Sequence, residues 1–405
     1  MRRLVIAGLA LKASGMTGVL ERMASLAGRD WNVTVLGFAP GASWRQEIRQ
    51  EAGLRLCLLH GPYRHYYLPA AVLQAEIFDS APDAILIHGP MLLAGPLLRQ
   101  LQPCRANSTI IHYLPVEGEP VAEMSRFLPL ADLCLVYTEQ CRVALQAKGA
   151  AFGSGGIPPI GVLGHGVDRA MFHPLDHATH EARRAAARRQ FFPPSKNFDG
   201  AFLVLNANRP YERKRLDLSI AGFASFARRR SDAFLILHTG HRSPAQQIRL
   251  CQAIEEAGMT GRICLSPEDP GGEPLDQAAL NMLYNACDVG LTTAMGEGWG
   301  LGSFEHASTR AAQIVPDHTS FRENWRGAAI LLPAEERQHV AFEGADMFAT
   351  TPEAVSSALA ALYGDAAFRD AMAQAAFDRA TASERSWEQF AATLSCHLHG
   401  VMGHA

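Results

Sequence analysis

The densest chemistry in the chain lies between Asp288 and Glu305, where Val289–Thr292 reads as a strand, the next residues as a loop, and Glu305 as part of a following helix. Five glycines fall in this stretch: Gly290, Gly296, Gly298, Gly300 and Gly302. Glycines let backbone approach a ligand closely and present unhindered N–H donors. Seven residues separate Glu297 in the loop from Glu305 at the helix start, so both can reach one ligand. A carboxylate accepts two hydroxyl hydrogen bonds at once, which is the grip that a ribose or hexose diol requires. In the first helical turn the dipole also favours a charged Glu305. The alternative reading makes Glu305 a helix cap.

A second group follows the strand Phe202–Leu205, in Asn206-Ala207-Asn208-Arg209-Pro210-Tyr211-Glu212-Arg213-Lys214. The guanidinium of Arg209 is a planar fork of donors and the ammonium of Lys214 a point charge. Together they can neutralise a diphosphate; a solvated basic loop is the competing reading. Near the N-terminus, Lys12-Ala13-Ser14-Gly15-Met16-Thr17-Gly18 turns from strand to helix. It is either a phosphate-binding helix start or a plain tight turn, because the full G-x-G-x-x-G fingerprint is missing. That absence also argues against a nicotinamide dehydrogenase. Tyr63-Arg64-His65-Tyr66-Tyr67 either stacks on a sugar or caps a loop, and Glu117-Gly118-Glu119 is a further loose acceptor-side signal.

These loops need strands and helices to hold them. Leu4–Ala10 reads as a buried strand, and Met16, Leu20, Met23 and Ala27 line one face of the next helix. Val33–Leu36, Ala84–Ile87, Ile110–Ile111 and Leu133–Val136 are further short apolar strands. Residues 173–200 read as a linker and lead-in helix. A second series follows: helix Leu216–Arg229, strands Phe234–Leu237 and Ile263–Leu265, helix Leu275–Asn285, and strands Ile314–Val315 and Ile330–Leu332. The alternation predicts an α/β protein with two doubly wound, Rossmann-like parallel sheets in tandem. Ligands in such sheets bind beyond the carboxyl ends of the strands, so two facing domains would share a cleft.

The 405 residues suit two domains, and 48% hydrophobic with 19% charged residues gives each a core. A formal net charge of −3 offers no field for nucleic acid. The clusters Arg183-Arg184-Arg188-Arg189 and Arg228-Arg229-Arg230 read as solvated helix faces, with peripheral membrane contact as the alternative. Eight scattered cysteines without a C-x-x-C pair suit buried thiols in a reducing compartment. Met1-Arg2-Arg3 before Leu4–Leu11 is read as the lead into a strand and not as a signal peptide, and no segment is apolar enough for a transmembrane helix.

The ordered motifs resemble the glycosyltransferases of family 4, which have the two-domain B-type (GT-B) fold. Glu297-Gly298-Trp299-Gly300-Leu301, ending at Glu305, is similar to the family's E-x7-E signature. Arg209 and Lys214 match its phosphate-binding pair. His165-Gly166-Val167-Asp168 with Phe172-His173-Pro174 resembles its domain junction, and Asp317–Glu323 the segment that carries a further Glu. Ser386-Trp387-Glu388 resembles the start of a final helix that crosses back to the first domain. The match covers most of the second half and is thin over the first 160 residues. It implies a first domain over residues 1–170 plus a helix at about 385–405, and a donor-binding domain over 171–384.

The resemblance also implies roles. Glu305 would hold the ribose hydroxyls, Glu297 the donor sugar, and Arg209 with Lys214 the departing diphosphate. Gly15, Gly298, Gly300 and Leu301 would present backbone donors, and His112, with His88 as the lesser candidate, would contact the sugar. The expected reaction moves a hexosyl unit, with retention, from a GDP- or UDP-sugar to a glycan, lipid-linked or small-molecule acceptor. It would need no metal or cofactor and would run in the cytoplasm or at the inner membrane face. Thr293-Ala294-Met295-Gly296 and Gly302-Ser303 depart from the family pattern and leave the donor sugar open. An epimerase or phosphorylase on the same fold, or a non-catalytic sugar-binding subunit, are the alternatives.

Overall fold

The apolar run at the N-terminus is a central strand, hydrogen-bonded to a neighbour on each side and buried over five consecutive residues, so neither of its faces meets solvent. In the computed structural model, which describes residues 1–11, 14–62, 65–120, 126–151, 156–196, 198–240, 242–266, 275–340 and 345–403, this run is β1 (Arg3–Leu9). It belongs to a unit made of Met1–His165, His339–Asp346 and Trp387–Ala405. The remaining strands of that unit's main sheet are β2 (Asn32–Pro40), β3 (Arg45–Glu51), β4 (Leu54–Gly61), β5 (Ala84–His88) and β6 (Thr109–Leu114), then, after the short β7 (Glu119–Pro120), β8 (Leu133–Val136) and β9 (Ile160–Val162). Their order is β3-β4-β2-β1-β5-β6-β8-β9. All pairings are parallel except β3 with β4. The chain steps outward from β1 through β2 and β4, then restarts at β5 on the other side, so the topological switch lies between β1 and β5.

The expected strands of this unit are present, each longer than or equal to its apolar run. β3, β4 and β9 went unread in the sequence. β3 is polar throughout because it is an exposed edge, and β9 has only three part-buried residues. The helix Gly15–Ala27 buries Leu20, Met23 and Ala27 as expected, together with Val19, Ala24 and Leu26, whereas Met16 is only half-buried. Lys12 and Ala13 lie outside the described residues. Thr17 closes the described part of their turn: its hydroxyl accepts from Leu11 N at 2.9 Å and donates to Leu9 O at 3.0 Å.

The helix Trp387–Met402 is part of this first unit. Phe390, Leu394 and Leu398 are buried, and Phe390 packs on the rings of Tyr113 and His165. Its His397 ring bonds Val162 O at 3.1 Å. The ring lies so close to Gly161 that a Cβ there would meet it at 2.5 Å.

The second unit comprises Gly166–Gln338 and Met347–Ser386. Its strands are β10 (Phe202–Asn206), β11 (Ala233–Leu237), β12 (Ile263–Leu265), β13 (Val289–Leu291), β14 (Ala312–Pro316) and β15 (Ile330–Leu332). All are parallel, in the order β12-β11-β10-β13-β14-β15. The switch therefore falls between β10 and β13. At Gly290 in β13 the Gln313 amide packs directly over the backbone, in the space where a side chain would begin.

One expectation is overturned here. Arg183, Arg184 and Arg188 do not form a solvated or membrane-facing surface; all three are buried. They project inward from the helix His180–Phe191, which Thr179 caps through Ala182 N. Asp288 accepts from an Arg188 terminal nitrogen at 2.7 Å and from Leu203 N at 2.7 Å, and forms an ion pair with Arg184, whose Nε lies 3.0 Å from its other oxygen. Arg188 also donates to Ala286 O and Phe198 O. The cluster bolts the lead-in helix to the amino ends of β10 and β13. Of these four arginines only Arg189 is solvated; in the second cluster Arg228 and Arg229 are exposed as expected, and the half-buried Arg230 lies over Phe226 and Tyr363. Among the described residues no helix is long and apolar enough to cross a membrane. The cysteines are free, with Cys57, Cys104, Cys134, Cys141 and Cys287 buried.

Candidate active site

A parallel doubly wound sheet opens a crevice at its switch point, because the loops after the two central strands diverge to opposite faces. In the second unit these are the loops after β10 and β13, and they carry the predicted residues. Side chains stitch them together near their bases. Asn208 donates from its amide to Asn206 Oδ1 at 2.8 Å and Thr292 Oγ1 at 3.0 Å. Asn206 donates to Ser219 Oγ at 2.9 Å, which lies 2.8 Å from Thr293 Oγ1. Thr293 Oγ1 is 2.7 Å from Arg215 O. Thr293, which departs from the family pattern, thus clamps the start of one loop to the end of the other.

The β10 loop ends in a single turn, Glu212–Lys214, and Arg215 adopts a left-handed φ of 46° that redirects the chain into the helix Leu216–Ala227. A non-glycine there is strained; the Arg215 guanidinium is held by both oxygens of Asp217. The turn aims Lys214 at the β13 loop, where Nζ donates to Glu297 Oε1. Arg213 lies 3.9 Å from Glu297 Oε2 and donates to Gly296 O at 2.9 Å, and Met295 N donates to Arg213 O at 2.8 Å. The loop is braced from behind as well. Ser320 Oγ donates to Glu297 O at 2.6 Å. His318 Nε2 donates to Ala294 O at 2.8 Å, and burial holds this imidazole neutral, its pKa pushed down to about 4. Such bracing sets a charged pair in place before a ligand arrives. Arg209 sits part-exposed on the loop crest, with its guanidinium 3.5 Å from Tyr211 Oη.

Glu305 is placed differently from expectation. The helix is Leu301–Ala307 with Gly300 at its N-cap, so Glu305 is its fifth residue and neither a cap nor a first-turn acid. Burial, not the dipole, dominates, and pushes its pKa up to about 7; the Tyr284 hydroxyl, donating to Oε2 at 3.1 Å, pulls the other way. Tyr284 comes from the helix Gln277–Ala286 and stacks on His306 at 5.2 Å. Gly300 has a φ of 89°, and a Cβ on it would meet the Phe321 ring at 2.6 Å. No other residue makes this turn without displacing Phe321. Gly298 is buried below it. Leu301 and Gly302 open the helix, where N–H groups point outward without intrahelical acceptors.

The first unit holds the other predicted residues. His112 lies within β6, fully buried, with Nε2 donating to Gly89 O at 2.9 Å and burial pushing its pKa down to about 4. Its Nδ1 has no hydrogen-bond partner among the described residues. His88 ends β5 and bonds Tyr137 Oη at 2.8 Å; burial pushes its pKa to about 3. Both imidazoles are therefore neutral donors or acceptors. Gly15 is the first residue of its helix, at the switch between β1 and β5. Of the aromatic cluster, Tyr63 and Arg64 lie outside the described residues, and Tyr66 is core, stacked on Phe38 at 4.6 Å.

Sequence reasoning missed Arg213, Ser219, Tyr284 and His318. Arg213 was visible only as part of a basic run. Tyr284 and His318 carried no local signal, because each acts on a residue far from it in the chain.

No protein-family model matches the chain, and no curated protein matches it. Solved structures do. A sucrose-phosphate synthase from Thermosynechococcus elongatus is 17% identical, with 100% of both chains covered and a TM-score of 0.73. An α,α-trehalose 6-phosphate synthase from Burkholderia multivorans is 13% identical over 100% of this chain and 99% of that one, with a TM-score of 0.74. The HepE protein of Anabaena, solved with UDP and glucose, is 14% identical over 99% and 100%, with a TM-score of 0.72. At these identities the likeness establishes the fold: both Rossmann-like units belong to a GT-B architecture.

Proposed function

We propose that the protein is a retaining glycosyltransferase that takes a hexosyl unit from a nucleoside diphosphate sugar. The observation that carries this reading is the meeting of Lys214 and Glu297 at the switch point between β10 and β13. The named activities of the sugar-phosphate synthases that share its fold support it. They make a sugar phosphate the first acceptor to test, and the UDP and glucose held by one neighbour make UDP-glucose the first donor.

In this reading Lys214 and Arg209 bind the diphosphate and stabilise the leaving nucleoside diphosphate, so that most of the acceleration is electrostatic. Entry of the phosphate draws Lys214 away from Glu297 and frees that carboxylate for a sugar hydroxyl. Glu305 accepts from the ribose diol, and Tyr284 orients it. Leu301 and Gly302 offer backbone N–H groups. His112, Gly15 and the family 4 likeness of the E-x7-E segment belong to the same proposal. So does metal independence, which predicts equal turnover with and without a chelator. No group of three or more His, Cys, Asp or Glu suited to a metal occurs among the described residues.

The test is incubation with UDP-glucose, GDP-mannose and a set of sugar phosphates, followed by product analysis and NMR of the new anomeric centre. Release of nucleoside diphosphate with an α-linked product is expected. An epimerised donor, or an inverted product, would overturn the reading.

A further inference from the structure

Among the described residues β3 is an edge strand with β4 as its one sheet neighbour. It leaves a row of backbone donors and acceptors facing outward. Its sequence is Arg45-Gln46-Glu47-Ile48-Arg49-Gln50-Glu51. Arg45, Glu47, Arg49 and Glu51 share one face; Gln46, Ile48 and Gln50 share the other. Ile48 is 49% exposed at the centre, and Trp44, 54% exposed, precedes the strand. Charged side chains on an edge discourage pairing with arbitrary strands; the four charges of this strand alternate in sign, so a strand of matching charge order can still pair with it.

The order of charges has a symmetry of its own. When the strand is laid antiparallel against a copy of itself with Ile48 opposite Ile48, Arg45 faces Glu51 and Glu47 faces Arg49, in both directions. Gln46 faces Gln50, and the apolar pair sits on the axis. Every charged position then meets its opposite, which favours cross-strand pairing. A shift by two residues one way puts Glu47 opposite Glu47 and Arg45 opposite Arg49. A shift the other way sets Arg49 against Arg49 and Glu47 against Glu51. Like charges directly opposite are destabilising, so the Ile48 register is favoured over both two-residue shifts, and a shift by four keeps fewer charge pairs and a shorter overlap.

We infer that the outer edge of β3 pairs with β3 of a second copy of this chain, antiparallel and two-fold symmetric about Ile48, joining two eight-stranded sheets into one. The interface is isologous and closes at two copies, since each chain has one such edge in this sheet. Glu47 and Arg49 stand on one face and pair with each other at 2.6 Å; in the dimer each gains its counterpart across the axis as a cross-strand neighbour.

Charge exchange tests this. Sedimentation over a dilution series should show a reversible dimer for the natural chain. E47R places arginine opposite arginine twice by symmetry, and R49E places glutamate opposite glutamate twice; each should be monomeric, weakened roughly tenfold or more. An equimolar mixture of the two should dimerise, because position 47 of one then meets position 49 of the other with opposite charge. The double variant E47R/R49E should dimerise alone. Circular dichroism verifies that each is folded. As an independent readout, Ile48→Cys in a Cys251→Ser, Cys396→Ser background should form a covalent dimer on mild oxidation, because directly opposed residues lie within disulfide reach. A natural chain that stays monomeric, singles that remain dimeric, a mixture that fails to pair, or no cross-link in the Ile48→Cys variant would each overturn the inference.

Discussion

Glu305 carries a titration that reports its role. Its folded pKa, near 7, is raised by burial above the ordinary carboxylate range. Between that range and pH 7 the folded protein holds a proton that the unfolded chain has released. Stability is therefore greatest at acid pH, falls as pH rises through this window, and levels off above it. Glu305→Gln should flatten that part of the Tm-against-pH curve. Donor binding has the opposite sign, because the diol needs a carboxylate: affinity for a nucleotide sugar, whose esterified diphosphate does not titrate near neutrality, should rise as pH passes 7. In Glu305→Gln that rise should vanish, with binding weakened roughly ten- to 150-fold at high pH. Lys214 separates differently. Lys214→Met removes a charge that the proposal uses on the leaving group, so kcat should fall by a factor of roughly ten to 150 or more. Unchanged kcat with a raised KM would show that Lys214 serves binding only.

At the scale of elements, the helix His180–Phe191 depends on buried charge. Removing one partner of a buried pair is costly because the other is left uncompensated, typically by about 3–5 kcal/mol. Arg188→Met should fall at or below the lower end, since Asp288 keeps Arg184 and Leu203 N. A loss of about 3 kcal/mol corresponds to a Tm drop of roughly 6–12 °C for a unit of this size. Arg189→Met, on the solvated side, should change Tm by less than about 1–2 °C. Equal effects at the two positions, read by calorimetry, would refute the assigned roles. Gly300 makes the parallel point for a loop: its positive φ and its contact with Phe321 tie the helix that carries Glu305 to one backbone geometry.

For the whole molecule, the closing helix is structural for the first unit although it follows the second in sequence. Phe390, Leu394 and Leu398 are its buried contributions, each worth about 1.5–3 kcal/mol. Truncation after Ser386 should destabilise the first unit and expose the Tyr113–His165 region, while the second unit keeps its cooperative melt and its nucleotide-induced thermal shift. Differential scanning calorimetry with and without UDP would resolve the two transitions. A truncated chain whose nucleotide response is lost would show that the second unit also needs this helix.

Much of this architecture was legible from short-range pattern alone. Apolar runs of four or five residues alternating with helical periodicity predict parallel sheets, because a strand buried on both faces has no polar side to show. The glycine-rich loop, Glu297, Arg209 and Lys214 were legible because backbone freedom and charge are properties of single residues. Pairing was not. Lys214 meets Glu297 across 83 positions, Arg188 meets Asp288 across 100, and Tyr284 reaches Glu305 from a separate helix. The same arginine type is solvated at 189 and buried at 183, 184 and 188, and nothing in the run itself distinguishes them. The polar β3 became a strand only through its partner β4. Residue types and their local spacing determined which elements form and which chemistry is on hand. Burial and charge partners were decided by the fold, because desolvation and Coulomb energies depend on neighbours in space, which only the packed chain supplies.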